Sequence, residues 1–199
     1  MPQRNKLLDV AYCAVFAALI IVFAFVSVPV GALGVPIVLQ NAVIILAGLV
    51  LGARRGFLSV ALFLVIGLVL PVLAGGRTVI SALGGPTVGY IVGYLVSAFV
   101  AGLIAYRARP GRRGEQIGWF ILAAALALVC QYACGIVGLM ISSRIGPVAA
   151  AGGQIPFLVP DAAKCVVMVI VALGVHAAFP DLLRRPNRAR DTDARDRVH

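Results

Sequence analysis

The sequence predicts an all-α integral membrane protein, a bundle of six transmembrane helices with both termini in the cytoplasm. Three observations lead to this prediction: the composition is apolar, the apolar runs are long, and the basic residues are confined to a few places. Of the 199 residues, 62% are hydrophobic and 12% are charged, and the mean hydropathy is +1.06. A water-soluble domain of this length has too little interior for so many apolar side chains. The runs are continuous, which disfavours the alternating pattern of a β-barrel, and at about 20 residues per span they provide six crossings.

The basic residues set the orientation of the spans. Fourteen of the 17 Lys and Arg residues fall in four places: Arg4 and Lys6; Arg54 and Arg55; Arg107, Arg109, Arg112 and Arg113; and Arg184, Arg185, Arg188, Arg190, Arg195 and Arg197. The positive-inside rule places both termini and the Arg-rich loops on the cytoplasmic side of the membrane. The net charge of +10 therefore indicates topology and contact with lipid headgroups. It does not indicate nucleic-acid binding.

The six predicted helices follow from the apolar runs and the Pro and Gly residues that interrupt them. They cover Leu7–Val28, Gln40–Gly52, Phe57–Leu70, Gly84–Tyr106, Ile117–Ile141, and a last helix from Pro156 or Pro160 to Phe179. We divide the chain into a six-helix domain, residues 1–183, and a basic cytoplasmic tail, residues 184–199, which we expect to be mobile. Residues 29–36 form an apolar outer loop, expected to act as a lid.

Asp161 and Lys164 are the most informative residues, because they place an acid and a lysine at membrane depth. An ionised side chain in hydrocarbon costs a few kcal/mol, so such a residue usually faces a partner, a cavity or a ligand. Three positions apart on a helix, the two share a face and can neutralise each other. Two interpretations stay open. Asp161 and Lys164 bind a ligand head that carries both N–H and C=O groups, or Asp161 is a helix-start residue and Lys164 is its ion-pair partner.

Other polar groups are expected at the same membrane level. Gln40, Arg77 with its neighbours Gly75 and Gly76, and the start of the fourth helix at Gly85 all follow outer connections. Arg77 and the backbone N–H groups at the start of the fourth helix are expected to form a site that binds a carboxylate. Together with the acid–base pair they suit a small amphiphile with an amide-like head and an anionic tail. The alternatives are that Arg77 and Arg144 extend to the headgroups, and that Gln40 only starts a helix.

Small residues recur every fourth position in two helices. In the fourth they are Gly89, Gly93, Ser97 and Ala101, and in the first they are Ala14 and Ala18. Such stripes let another helix approach closely. We interpret the longer stripe as packing within the chain, and the shorter one as packing or as contact with another subunit.

The sequence offers no sign of catalysis or of a bound metal or cofactor. The four cysteines lie in apolar runs without His, Asp or Glu nearby, so we interpret them as core residues. His176 is interpreted as a packed histidine. We find no phosphate-binding glycine loop with its Lys and no hydrolase motif. An enzyme acting on a lipid-like substrate is therefore the weakest of the functional alternatives.

Several motifs, in order along the chain, resemble one family. They are Val35-Pro36-Ile37-Val38-Leu39-Gln40, Leu51-Gly52-Ala53-Arg54-Arg55-Gly56, Pro71-Val72-Leu73-Ala74-Gly75-Gly76, Gly85-Pro86-Thr87-Val88-Gly89-Tyr90, and Pro156-Phe157 with Asp161-Ala162-Ala163-Lys164. The chain resembles the biotin-specific substrate-binding components of energy-coupling-factor transporters, the BioY family. It departs from the family pattern at Val88, where Gly is common, and at Asn41, where Thr is common.

The resemblance implies a six-helix protein that binds biotin near the outer surface and has no ATPase of its own. Its partners would be a transmembrane coupling subunit, which docks on Ala14 and Ala18, and two cytoplasmic ATPases. Asp161 and Lys164 would hold the ureido ring of biotin, with the valerate carboxylate at Arg77 or the fourth helix near Tyr90. The main alternative is a stand-alone secondary transporter in which the acid–base pair couples the substrate to protons.

Overall fold

The structure is a computed structural model that describes residues 2–28, 37–109 and 111–183. In chain order its elements are α1 (Pro2–Ala24), β1 (Ser27–Val28), β2 (Ile37–Val38), α2 (Gln40–Ile66), α3 (Val79–Leu83), α4 (Val88–Ala105), α5 (Arg113–Ser143), α6 (Pro147–Gly152), α7 (Ile155–Ala178) and a 3-10 turn (Pro180–Leu183). The all-α prediction is confirmed apart from the two-residue antiparallel ladder of β1 and β2. The expected lid, residues 29–36, and the tail, residues 184–199, lie outside the described residues.

Within the described ranges five helices are long and apolar enough to cross a membrane: α1, α2, α4, α5 and α7. The protein is therefore a multi-pass helical membrane protein. The difference from the six predicted spans lies in α2, which contains both the second and the third predicted helix. Two further short helices were not predicted, α3 before the fourth span and α6 before the last.

The two halves of α2 do not form one straight rod, because the backbone breaks at Gly52. Gly52 has φ 82° inside the helix, a conformation that glycine adopts without steric cost. A Cβ atom built on Gly56 would lie 2.9 Å from the Cα atom of Gly48, whereas residues eight apart in a straight helix are about 12 Å apart. The chain therefore folds back on itself. We call residues 40–51 the N-terminal arm and residues 53–66 the C-terminal arm.

Contacts with α1 support this reversal. The amide of Gln40, at the start of α2, donates hydrogen bonds to the carbonyls of Ile20 (3.3 Å) and Val72 (3.0 Å), so both ends of α2 lie near the end of α1. Arg55, just past the break, pairs instead with Asp9 near the start of α1, at 2.6 Å. We call the two ends of the bundle the Asp161 end and the Gly52 end. Asp9 and His176 lie at the Gly52 end, so α1 begins where α7 finishes.

The N-terminal arm is the centre of the bundle. Every residue of it except Asn41 is buried, and α1, α4 and α7 all contact α2. A helix that is apolar on all sides is expected in such a position. The stripe of small residues on α4 is buried too, and a Cβ atom on Gly89 would overlap the carbonyl oxygen of Cys134 on α5. The interpretation of that stripe as packing within the chain is confirmed.

Candidate functional site

A cleft opens at the Asp161 end of the bundle between α2, α4, α5 and α7. It is lined by Val38, Gln40, Asn41, Leu73, Ala74, Arg77, Thr87, Tyr90, Ile91, Tyr94, Gln131, Tyr132, Phe157 and Asp161. The cavity volume is about 50 Å³, whereas sites for drug-sized ligands measure about 300–1,000 Å³. A ligand of that size therefore requires the side chains around the cleft to move apart.

Asp161 and Lys164 lie together in the first half of α7 and form an ion pair through Oδ1 of the carboxylate. Asp161 is 4% exposed, and its Oδ2 accepts a hydrogen bond from the hydroxyl of Tyr132 at 2.8 Å. Lys164 also donates to the carbonyl of Val38 at 2.7 Å and to Oδ1 of Asn41 at 3.0 Å. The expected pairing is confirmed. Each carboxylate oxygen has a lone pair to spare for a ligand, because it accepts one bond.

Gln40 lines the cleft from the first residue of α2 and is 1% exposed. Both hydrogens of its amide point to backbone carbonyls, those of Ile20 and Val72. Gln40 therefore links α1 to the segment that follows α2, in addition to starting α2. Its Oε1 accepts no hydrogen bond from the described part of the chain, so this oxygen is the atom that Gln40 can offer to a ligand.

Arg77 is placed at the cleft by a tight turn. The backbones of Leu73 and Arg77 exchange hydrogen bonds of 3.0 and 3.3 Å, and the turn between them holds Gly75 (φ 74°) and Gly76 (φ 69°). Both glycines are needed for that backbone. They are exposed and stand outside the cleft lining, so their contact with a ligand stays a prediction. Arg77 donates through Nε to the carbonyl of Ala74 at 3.3 Å, and no described carboxylate pairs with it.

The start of α4 differs from what the sequence suggested. The N–H groups of Gly85, Val88 and Tyr90 donate to the carbonyls of Ala82, Gly85 and Thr87, at 3.1, 3.3 and 3.1 Å. These groups are therefore already bonded within the chain and do not form an open anion site. Gly85 is not in the cleft lining, and a ligand contact there stays a prediction. Arg77 remains the cationic group that lines the cleft.

Tyr90 lines the cleft and also ties its rim. Its ring lies against Gly135 of α5, where a Cβ atom would overlap it. Its hydroxyl donates to Oε1 of Gln154 at 2.6 Å, and Gln154 in turn donates to the carbonyl of Ala150 at 3.3 Å. Tyr90 thereby connects α4 to the segment between α6 and α7. Gln154 carried no signal in the sequence.

Gln131 and Tyr132 of α5 are two further polar residues that line the cleft. Gln131 donates to the carbonyl of Asn41 at 3.2 Å and to the hydroxyl of Ser97 at 2.9 Å, while Tyr132 bonds to Asp161. Asn41 was noted only as a departure from a family pattern. Its position in the sequence could have identified Asn41, because it directly follows Gln40 and was therefore expected at the membrane level of the acid–base pair.

The other residues singled out from the sequence lie outside the cleft. Ala14 and Ala18 are exposed on α1, so they do not pack within this chain. His176 is buried at the Gly52 end with its Nε2 2.9 Å from the carbonyl of Leu49, as expected of a packed histidine. The four cysteines are free. No group of His, Cys, Asp or Glu side chains in residues 2–28, 37–109 and 111–183 could hold a metal ion.

Comparison with known proteins gives a consistent result. The BioY family model matches residues 1–181. The biotin transporter BioY of Rhodobacter capsulatus is 38% identical over 188 residues, covering 88% of this chain and 96% of the relative. The biotin transporter BioY of Rhizobium etli is 34% identical over 182 residues, covering 89% and 97%.

A solved structure has the same fold. The crystal structure of the S-component for biotin from an ECF-type ABC transporter superposes with a TM-score of 0.79 at 27% sequence identity, covering 89% of this chain and 95% of the other. On the family match, the level of identity and the shared fold, this chain belongs to the BioY family.

Proposed function

We propose that this protein binds biotin and serves as the substrate-specificity subunit of an energy-coupling-factor transporter in the bacterial inner membrane. The observation that carries the proposal is the buried pair Asp161–Lys164 at a cleft that Arg77 also lines. The carboxylate of Asp161 suits a neutral ureido head. Arg77, which pairs with no described carboxylate, suits an anionic tail. The family consists of transporters, so we assign binding and uptake and no catalysis.

The ureido ring is assigned to Asp161. The carboxylate keeps one unused acceptor position on each oxygen while bonded to Lys164 and Tyr132, so it can accept the ring N–H groups. Lys164 holds this carboxylate in place from the next turn of α7. The rings of Tyr90, Tyr94 and Phe157 line the cleft and give the apolar walls that the thiophane ring needs.

The valerate carboxylate is assigned to Arg77. The guanidinium has five N–H donors, and the one hydrogen bond found for it uses only Nε. The other four are available for a bidentate carboxylate contact. With the N–H groups of the α4 start already bonded, this assignment is preferred to the helix terminus. Because the cleft is smaller than biotin, it must widen on binding.

The experiment is calorimetry of the purified full chain with biotin, after mass spectrometry has identified any small molecule carried through purification. Asp161→Asn is expected to weaken binding at least tenfold, because it removes the charge that Lys164 and the ring N–H groups share; such charge-assisted bonds contribute about 1.5–3 kcal/mol. Arg77→Gln is expected to weaken biotin but not its uncharged amide. Unchanged affinity in Asp161→Asn would remove the proposed head site.

The orientation and partners form the second part of the proposal. The two arms of α2 are counted as separate crossings, which gives six and places both termini on the cytoplasmic side. The arms have only about 18–21 Å of helix. The N-terminal arm is surrounded by protein, so it need not match the lipid thickness. A transmembrane coupling subunit would dock on Ala14 and Ala18 and bring two ATPase subunits.

Co-purification tests this docking surface. Ala14→Trp or Ala18→Trp should leave biotin affinity unchanged but remove the coupling subunit, because both residues are exposed and Trp would hold the two helices apart. Leu8→Trp is the matched control, about 120° from Ala14 and about 80° from Ala18 around the same helix and also exposed (49%). Equal loss in all three variants would show a general effect on α1.

Uptake that persists without the ATPase subunits would favour the stand-alone transporter.

A further inference from the structure

The ammonium group of Lys164 has no hydrogen left for a ligand. It carries three N–H donors and no acceptor. The described residues provide three partners: the carbonyl of Val38 at 2.7 Å, Oδ1 of Asn41 at 3.0 Å, and the carboxylate of Asp161. A ligand carbonyl would have to displace one of them. Another donor next to Asp161 is therefore needed for a head that carries both N–H and C=O.

Asn41 is fixed in the orientation that provides this donor. Because an ammonium group only donates, the atom of Asn41 that faces Lys164 is Oδ1, and the amide nitrogen Nδ2 lies on the other branch of the side chain. Asn41 is the half-buried residue of an otherwise buried arm, and it lines the cleft together with Asp161. Its backbone carbonyl is held by Gln131 at 3.2 Å. No hydrogen bond from Nδ2 is found in the described part of the chain.

We infer that the side-chain amide of Asn41 donates the hydrogen bond to the carbonyl oxygen of the bound cyclic urea, and that it selects for this carbonyl. The inference rests on the proposed function. Asp161 accepts from the ring N–H groups, Asn41 donates to the ring carbonyl, and Lys164 positions both by bonding to an oxygen of each. An acceptor-only and a donor-only group side by side complement the two kinds of atom that a urea presents.

Asn41→Asp tests the role of Nδ2. The carboxylate still accepts from Lys164, but both N–H donors are replaced by an oxygen. Affinity for biotin is expected to fall about 10- to 100-fold, the ratio that corresponds to a buried polar group left unpaired. Ser143→Asp is the control for the added charge, since Ser143 is exposed at the end of α5 and outside the cleft lining. It should bind biotin as the unaltered chain does.

A second ligand tests whether Asn41 determines specificity as well as biotin affinity. In the cyclic guanidine analogue of biotin a protonated nitrogen, which donates, replaces the carbonyl oxygen, which accepts. The unaltered chain should prefer biotin, whereas Asn41→Asp should bind the analogue as well as or better than biotin. A site built to bond one polar group rejects its opposite strongly, so the affinity ratio is expected to change at least tenfold. Asn41→Leu should also lose the preference for biotin, without the added charge.

The outcomes separate the two proposals. If the unaltered chain binds neither ligand, biotin binding itself fails and this inference falls with it. If the unaltered chain binds biotin and the Asn41 variants, shown by thermal unfolding to be folded, keep both the affinity and the preference, the role of Asn41 is wrong. Equal weakening of both ligands would also overturn it, because Asn41 would then act only by supporting Lys164.

Discussion

The two ends of the bundle each bury an ionisable residue of α7, but they use hydrogen bonds differently. At the Gly52 end, Nε2 of His176 lies 2.9 Å from the carbonyl of Leu49, and the hydroxyl of Tyr106 donates to the carbonyl of Val50 at 2.6 Å. At the Asp161 end, Asp161 bonds to other side chains.

The difference follows from which groups need hydrogen-bond partners at each end. Leu49 and Val50 lie in the last turn before the break at Gly52, and the carbonyls of a last helical turn lack helical partners. His176 and Tyr106 meet that need, so their contacts are part of the fold. Side chains that bond to one another can instead exchange partners when a ligand enters. The bonds of His176 and Tyr106 to backbone carbonyls thus belong to the fold, whereas the bonds of Asp161 to other side chains belong to the candidate site.

Gly102→Leu should have the largest effect, at the Gly52 end. A Cβ atom on Gly102 would overlap the backbone nitrogen of Ala53 and lie 2.6 Å from its Cα atom, so α4 and the α2 turn must separate. We expect a loss of about 4 kcal/mol or more, measured as failure to recover folded protein or as a lower unfolding temperature in detergent. Gly118→Leu is the control, since nothing lies within 4 Å of a Cβ atom there. Equal damage by both would contradict the packing argument.

Tyr106→Phe is expected to have an intermediate effect. It leaves the carbonyl of Val50 without its side-chain partner, which costs about 1–3 kcal/mol for a buried group. Thermal unfolding should show the loss, while calorimetry should show unchanged biotin affinity. Tyr12→Phe is the control, because the Tyr12 ring is exposed and contacts Arg55 through its face. A Tyr106→Phe protein that is equally stable but binds biotin poorly would reverse the roles assigned to the two ends.

Much of the fold was predictable because a membrane protein must hide its backbone in helices. The apolar runs predicted the spans, and the break expected between Gly52 and Phe57 is confined to Gly52. The ends of helices were less predictable. Pro160 lies inside α7 rather than at its start, which the sequence left open, and α4 begins at Val88 after a separate short helix.

The candidate site was predictable in its charged members and only partly in its neutral ones: Gln40 and Tyr90 were expected near the cleft, but Asn41, Tyr132 and Gln154 were not. An acid and a lysine in an apolar chain are conspicuous, so Asp161 and Lys164 were found. Asn41 and Tyr132 come from α2 and α5, and Gln154 comes from the segment before α7, so only the tertiary fold brings them to the cleft or its rim. Asp9 shows the same limit at the opposite end, since its pairing with Arg55 depends on how α2 folds back.

Tyr132→Phe should have the smallest effect, at the Asp161 end. It removes the 2.8 Å hydrogen bond to Asp161 but leaves the ion pair with Lys164, so the carboxylate stays charged and becomes less firmly oriented. We expect biotin affinity to fall about fivefold, which corresponds to about 1 kcal/mol for one hydrogen bond. Thermal unfolding should change less than in Tyr106→Phe, because Asp161 lines the cleft and water can replace the lost hydroxyl there. Paired with Tyr106→Phe, which removes a hydroxyl at the other end, the variant tests the comparison directly: one Tyr→Phe change should alter affinity and the other stability. If both variants changed the same quantity, the division between a structural end and a binding end would be wrong.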